Sequence, residues 1–112
     1  MGAIDFRFRP VGIQSITRDL TWEFLRKMRL EPAPSFEHQD IDLMFQEMDA
    51  AGIDMGVVGV MGPTEKPGFV SSANQSIAEV VRRYPDRFVG VGSLDTSDPN
   101  QALEEIDHIQ EL

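Results

Sequence analysis

Arg7 and Arg9 stand two residues apart in the run Ile4-Asp5-Phe6-Arg7-Phe8-Arg9-Pro10. A guanidinium stays protonated and presents its N–H donors in a planar fork. Two such forks at one strand end can clamp a carboxylate or phosphate bidentately. In a water-poor site they would also stabilise a developing oxyanion. Strand alternation predicts that Asp5, Arg7 and Arg9 share one side, with Asp5 able to pair with Arg7. The competing role is a surface strand whose arginines merely pair with nearby acids, which contributes little. Asp95 and Asn74 are the other candidate substrate-binding residues, because each follows a strand-like run. Asp95 is followed by Thr96, Ser97 and Asp98, so it fits turn chemistry equally well. Asn74, like Ser72, also fits a helix cap.

The remaining residue types narrow the chemistry. The chain has no Cys, which excludes a disulfide scaffold, a thiolate zinc site and a cysteine nucleophile. Its two His, His38 and His108, are too few for a His-rich metal centre. His38 lies beside Glu37 and Asp40 and reads as a solvated loop residue. His108 sits in an acidic stretch. Met44, Met48, Met55 and Met61 read as core filling. Gly56, Gly59, Gly90 and Gly92 lack phosphate-loop spacing and read as close-packing positions in buried strands. Trp22 and Phe24 fit either a cover over a site or a contact with a partner.

These residues need elements to position them. Ala3 to Phe8 reads as a strand that stops at Pro10. Thr17 to Leu30 has helical spacing, with Thr17 or Asp19 as N-cap, and Pro32 and Pro34 stop it. Ile41, Met44, Phe45 and Met48 make one buried helical face, with Asp40 as N-cap and Gly52 beyond the C-terminus. The run from Ile53 to Val60 reads as a strand buried on both faces. Gly62-Pro63 and Pro67-Gly68 frame a loop. Ile77, Val80, Val81 and Tyr84 mark a helix closed by Pro85. Phe88 to Leu94 reads as a third strand. Asp98-Pro99 starts a last helix carrying Leu103, Ile106 and Ile109. Strands alternating with helices predict an α/β fold with a parallel sheet, either doubly wound or the opening of a TIM barrel.

At 112 residues the chain is one domain, long enough to bury a core. No apolar run approaches the roughly 20 residues of a membrane span, and no signal-peptide pattern opens the chain. No membrane partner and a cytoplasmic location are the expectation. The net charge of −9 argues against nucleic acid as a partner. The charge is uneven. Residues 1–30 hold six basic and three acidic groups, against four and sixteen in residues 31–112. This pattern fits a solvated acidic surface plus one basic helix, or N-terminal arginines that meet an anionic ligand.

Three segments together resemble the amidohydrolase-related family of metal-dependent TIM-barrel hydrolases and decarboxylases. They are Ile4 to Pro10, Met48-Asp49-Ala50-Ala51-Gly52-Ile53-Asp54 with Val57-Val58, and Asn74 leading to Tyr84-Pro85-Asp86-Arg87-Phe88-Val89-Gly90. The resemblance implies the first three βα units of a fold that needs about 250 residues, with a helical insertion after the first strand. Residues 1–112 would then be a single partial domain, stopping in mid-fold. The family's site lies at the C-terminal strand ends, where paired His on the first strand hold a divalent metal, usually zinc. Arg7 and Arg9 occupy those two places, and a guanidinium has no lone pair to give a metal. The expectation is therefore no metal or other cofactor within this chain. The resemblance implies a hydrolase or decarboxylase for a small carboxylated or cyclic organic acid, with Arg7 and Arg9 as anion binders and oxyanion stabilisers. Two other readings stand beside it. One is an inactive partial barrel that self-associates through its exposed sheet edge. The other is a small-anion binding module without chemistry.

Overall fold

The computed structural model describes residues 2–12, 19–59 and 69–112. Among them the order is β1 (Ala3–Phe8), α1 (Asp19–Met28), α2 (Pro34–His38), α3 (Ile41–Ala50), β2 (Ile53–Val58), α4 (Phe69–Arg83), β3 (Phe88–Gly90) and α5 (Pro99–Glu111). Helical connections return the chain to the same end of the sheet each time, so the strands pair in parallel, in the order β1-β2-β3. The alternation of strands and helices thus produces the predicted α/β layering, an open sheet of the incomplete-barrel kind.

The core lies between one face of this sheet and the helices. Val58, Phe88, Met44, Met48, Ile77, Val80 and Val11 are buried in it. Phe88 is its aromatic centre, with ring centroids 5.6 Å from Phe8, 5.7 Å from Phe45 and 6.2 Å from Tyr84. Ring pairs in this range add about 0.5–1.5 kcal/mol beyond area burial. Met44 and Met48 do fill the core, as their spacing on α3 predicts.

Local chemistry sets the helix ends. The Asp40 carboxylate accepts the N–H groups of Asp42 and Leu43, satisfying orphan donors of the first turn of α3. Gly52, at φ 73°, then turns the chain into β2 in a conformation that favours glycine. Asp98 does for α5 what Asp40 does for α3, with Pro99 supplying the first turn. Arg87 fastens the start of β3 to the end of α3. Its guanidinium reaches Asp49 at 2.8 Å and lies 5.2 Å from the centroid of the Phe45 ring.

Several local expectations change. α1 ends at Met28 rather than Leu30, because Arg29 takes a positive φ and the Leu30 N–H closes back on the Leu25 carbonyl. Pro34 does not only stop a helix. It occupies the first turn of α2, where its missing N–H is not needed. His38 therefore ends a short helix, and it is exposed. α4 begins at Phe69, so Ser72 and Asn74 lie inside the helix and do not cap it. β3 ends at Gly90, four residues before Leu94, and the Val91 N–H continues the pairing to the Val58 carbonyl. Thr17, Met61, Gly62-Pro63 and Pro67-Gly68 lie outside the described residues.

The sheet's other face is open. Ile4 pairs with Met55 and Val57 with Val89, and these residues alternate with the buried ones. Ile4, Val89 and Val91 are 55%, 49% and 50% exposed. In a closed barrel this face would be the packed interior.

Candidate functional site

Because the strands are parallel, Phe8, Val58 and Gly90 end at the same edge of the sheet. Arg7 lies in the last turn of pleat of β1, and Arg9 follows it directly. Arg7 and Arg9 therefore stand at the C-terminal end of β1, and Asp95 lies in the segment that follows β3, with β2 between the two strands.

The face on which the arginines lie is set by an irregularity. Asp5 pairs with Gly56 and Phe8 with Val58, so three steps along β1 match two along β2. An extra residue in one strand is a β-bulge, which shifts the alternation by one. Phe8 consequently packs on the core side, against Phe88 and over Gly56, where an added Cβ would come within 2.6 Å of its ring. Arg7, its strand neighbour, goes to the open face by alternation. The Asp5 carboxylate accepts the Arg7 backbone N–H at 2.9 Å within the bulge. This corrects the expectation that Asp5, Arg7 and Arg9 share one side. Asp5 shares the ladder side of Gly56, and the arginines do not follow it. Both arginines are exposed.

The rim beside Arg9 is fixed by residues that carry no recognisable motif. Pro10 and Val11 are buried. The Gly12 N–H donates to Gln39 Oε1 at 2.7 Å, and Gln39 Nε2 donates to the Phe36 carbonyl at 2.6 Å. Gln39 itself sits at φ 51°. This tether joins the exit of β1 to the junction of α2 and α3. A left-handed Gln carries no signal in sequence, so this tether is legible only in the structure.

Asp95 is exposed and accepts the Ser97 N–H at 3.0 Å. The Ser97 side chain, and then its backbone N–H, hold the Asp95 carboxyl below the usual carboxylate range. Its geometry is that of the turn its neighbours predict. Asn74 is 3% exposed and lies in the helix layer. Its Nδ2 donates to the Ser93 carbonyl at 2.8 Å and to Glu105 Oε1 at 2.9 Å, and its Oδ1 accepts the Ser93 N–H at 2.9 Å. Both amide hydrogens are thus occupied, and the structure does not bring Asn74 to the arginines. A cavity of about 210 Å³ lies beside it, lined by Ile77, Val81, Gly90, Gly92 and Ile109. It is mainly apolar and lies on the helix-covered side.

Neither a family model nor a curated protein matches the chain. Solved structures do. An uncharacterised TIM-barrel protein from Bordetella bronchiseptica is 34% identical over 96% of this chain, with a TM-score of 0.73. A 2,6-dihydroxybenzoate decarboxylase from Rhizobium is 23% identical over 98%, with a TM-score of 0.58. A dihydroxybenzoic acid decarboxylase from a Polaromonas species, with bound manganese and the inhibitor 2-nitroresorcinol, is 24% identical over 98%, with a TM-score of 0.58. The fold is that of part of a TIM barrel.

This chain spans 40% of the Bordetella barrel and 35% of each decarboxylase. In a TIM barrel the C-terminal strand ends form the site, which is the edge that carries Arg7 and Arg9. Manganese in a neighbour raises the question of a metal in this partial barrel. Among the described residues no group of three or more His, Asp or Glu is placed to hold one. Where the resemblance places paired His, the two guanidiniums offer donors only. Arg7 and Arg9 therefore supply no ligand to a metal. No described helix is long and apolar enough to cross a membrane.

Proposed function

We propose that this partial barrel belongs to a protein acting on a small carboxylated ring acid, with Arg7 and Arg9 as its anion-binding residues. The observation that carries the reading is the placing of both arginines at the C-terminal end of β1, with Arg7 turned to the open face by the bulge. The names of the Rhizobium and Polaromonas neighbours favour decarboxylation over hydrolysis. Physical chemistry then limits what the arginines do. Decarboxylation moves charge off the departing carboxylate and onto the ring. Cations clamped on that carboxylate would stabilise the ground state more than the transition state, and would slow the step. Arg7 and Arg9 therefore hold the charge that stays or develops, such as a phenolate or a retained carboxylate. Asp95 after β3 would repel a second anionic group and so orient the ring.

The test is the affinity of the full chain for 2,6-dihydroxybenzoate, measured by calorimetry, in wild type and in Arg7→Leu and Arg9→Leu. A charge-assisted hydrogen bond is worth about 1.5–3 kcal/mol, and exposure places these two at the low end. Each variant should bind about tenfold more weakly. Unchanged affinity in both variants sinks the reading.

A second reading, self-association, is favoured by the exposed Ile4, Val89 and Val91 on the open face. Sedimentation velocity on wild type and Val91→Glu tests it. A dimer or larger species that dissolves in the variant supports the reading, and a wild-type monomer at high concentration ends it.

A further inference from the structure

The bulge in β1 decides which side chains meet the core and which meet a ligand. Without it, the alternation running from Ile4 on the open face and Asp5 opposite would continue unbroken. Phe8 would then lie on the open face and Arg7 under the helices. The extra residue between Asp5 and Phe8 exchanges the two. Phe8 gains Phe88, at 5.6 Å between centroids, and Arg7 stays exposed. The Asp5 carboxylate is the group placed to hold the bulge. Its Oδ1 takes the Arg7 N–H at 2.9 Å, a backbone donor that a regular ladder would use differently.

We infer that Asp5 is a positioning residue, whose carboxylate oxygen fixes the β1 bulge and thereby turns Arg7, and Arg9 after it, toward an anionic ligand. The role needs an oxygen acceptor at that place and not a negative charge. Asn keeps the oxygen and loses the charge, whereas Ala loses both.

The experiment compares wild type, Asp5→Asn and Asp5→Ala as full chains. Three readings are taken on each: hydrogen exchange of the Arg7 amide, the nuclear Overhauser contact between the Phe8 and Phe88 rings, and affinity for 2,6-dihydroxybenzoate. The expected result is a protected Arg7 amide and a ring contact in wild type and Asp5→Asn, with affinities within about twofold of each other. Asp5→Ala should expose the Arg7 amide, lose the ring contact and bind about tenfold more weakly. Arg7 protection and ring contact unchanged in Asp5→Ala overturn the inference. So does an Asp5→Asn that loses affinity while keeping both structural signals, since charge would then be the cause. If Asp5→Ala does not fold, the Asp5→Asn comparison decides alone. The affinity reading rests on the function proposed above. A wild type that does not bind the acid refutes that function, while the amide and ring signals still judge Asp5.

Discussion

Replacing Asn74 with Ala removes a side chain that ties α4 to both the exit of β3 and the helix α5. Asn74 is 3% exposed, and its amide makes bonds of 2.8, 2.9 and 2.9 Å to the Ser93 carbonyl, Glu105 and the Ser93 N–H. Neutral hydrogen bonds contribute about 1 kcal/mol net and one to a charged group about 1.5–3 kcal/mol. Ser93 and Glu105 are only partly buried, so water replaces some of what is lost. The expected cost is about 2–3 kcal/mol, a large share of the roughly 5–15 kcal/mol that stabilises a domain. Urea unfolding of wild type and variant, followed by far-ultraviolet circular dichroism, measures it. Asn74→Asp sharpens the test. It sets a carboxylate against Glu105 and the Ser93 carbonyl, which raises the folded-state pKa of the introduced carboxyl. Its destabilisation should therefore grow as pH rises through that raised value and shrink in acid. An Asn74→Ala within about 0.5 kcal/mol of wild type would refute the reasoning, since surface substitutions commonly do no more.

Gly90→Ala should destabilise by about 1–3 kcal/mol in the same unfolding assay, because its Cβ would meet Ile77 Cγ2 at 2.9 Å and Val81 Cγ2 at 3.2 Å. Arg87→Ala should cost about 1–2 kcal/mol from the lost contacts to Asp49 and Phe45. Arg87→Met should cost less than half as much, since it keeps the stem's packing and removes the buried Nε that lacks a partner. Asp95, held low by Ser97, contributes stability that is present above its unfolded pKa and lost as pH falls through the lower folded value. A carbon-detected titration of Asp95 should therefore move up in Ser97→Ala, and an unmoved titration would discard Ser97 as the cause.

The elements with local chemistry of their own were legible in the sequence. Asp40 and Asp98 cap the helices their positions predict, and the spacing of Met44 and Met48 finds the buried face of α3. Boundaries were less legible where one residue serves two uses. Pro34 ends one helix in sequence terms and starts another in space, because a missing N–H suits both. Asn74 looks like a cap by type, yet its partners are 19 and 31 residues away, beyond any local pattern. The site shows the same division. Type and spacing make Arg7 and Arg9 candidates for anion binding, and the structure places them at the C-terminal end of β1. The face was hidden, because an inserted residue leaves the composition of β1 unchanged while reversing its alternation.

The aromatic residues are divided so that light can distinguish two regions of the molecule. Trp22, the single tryptophan, lies on α1 with its ring 4.8 Å from that of Phe36 on α2. The single tyrosine, Tyr84, packs instead with Phe45 and Phe88 in the sheet-side core. Tryptophan emission therefore reports the seating of α1 on α2, and the tyrosine signal reports the core. Coincident melting by the two signals would mean that the helical insertion and the sheet unfold as one cooperative unit. An earlier tryptophan transition would mark the insertion as a separately opening unit, able to loosen while the arginine-bearing strand stays in place.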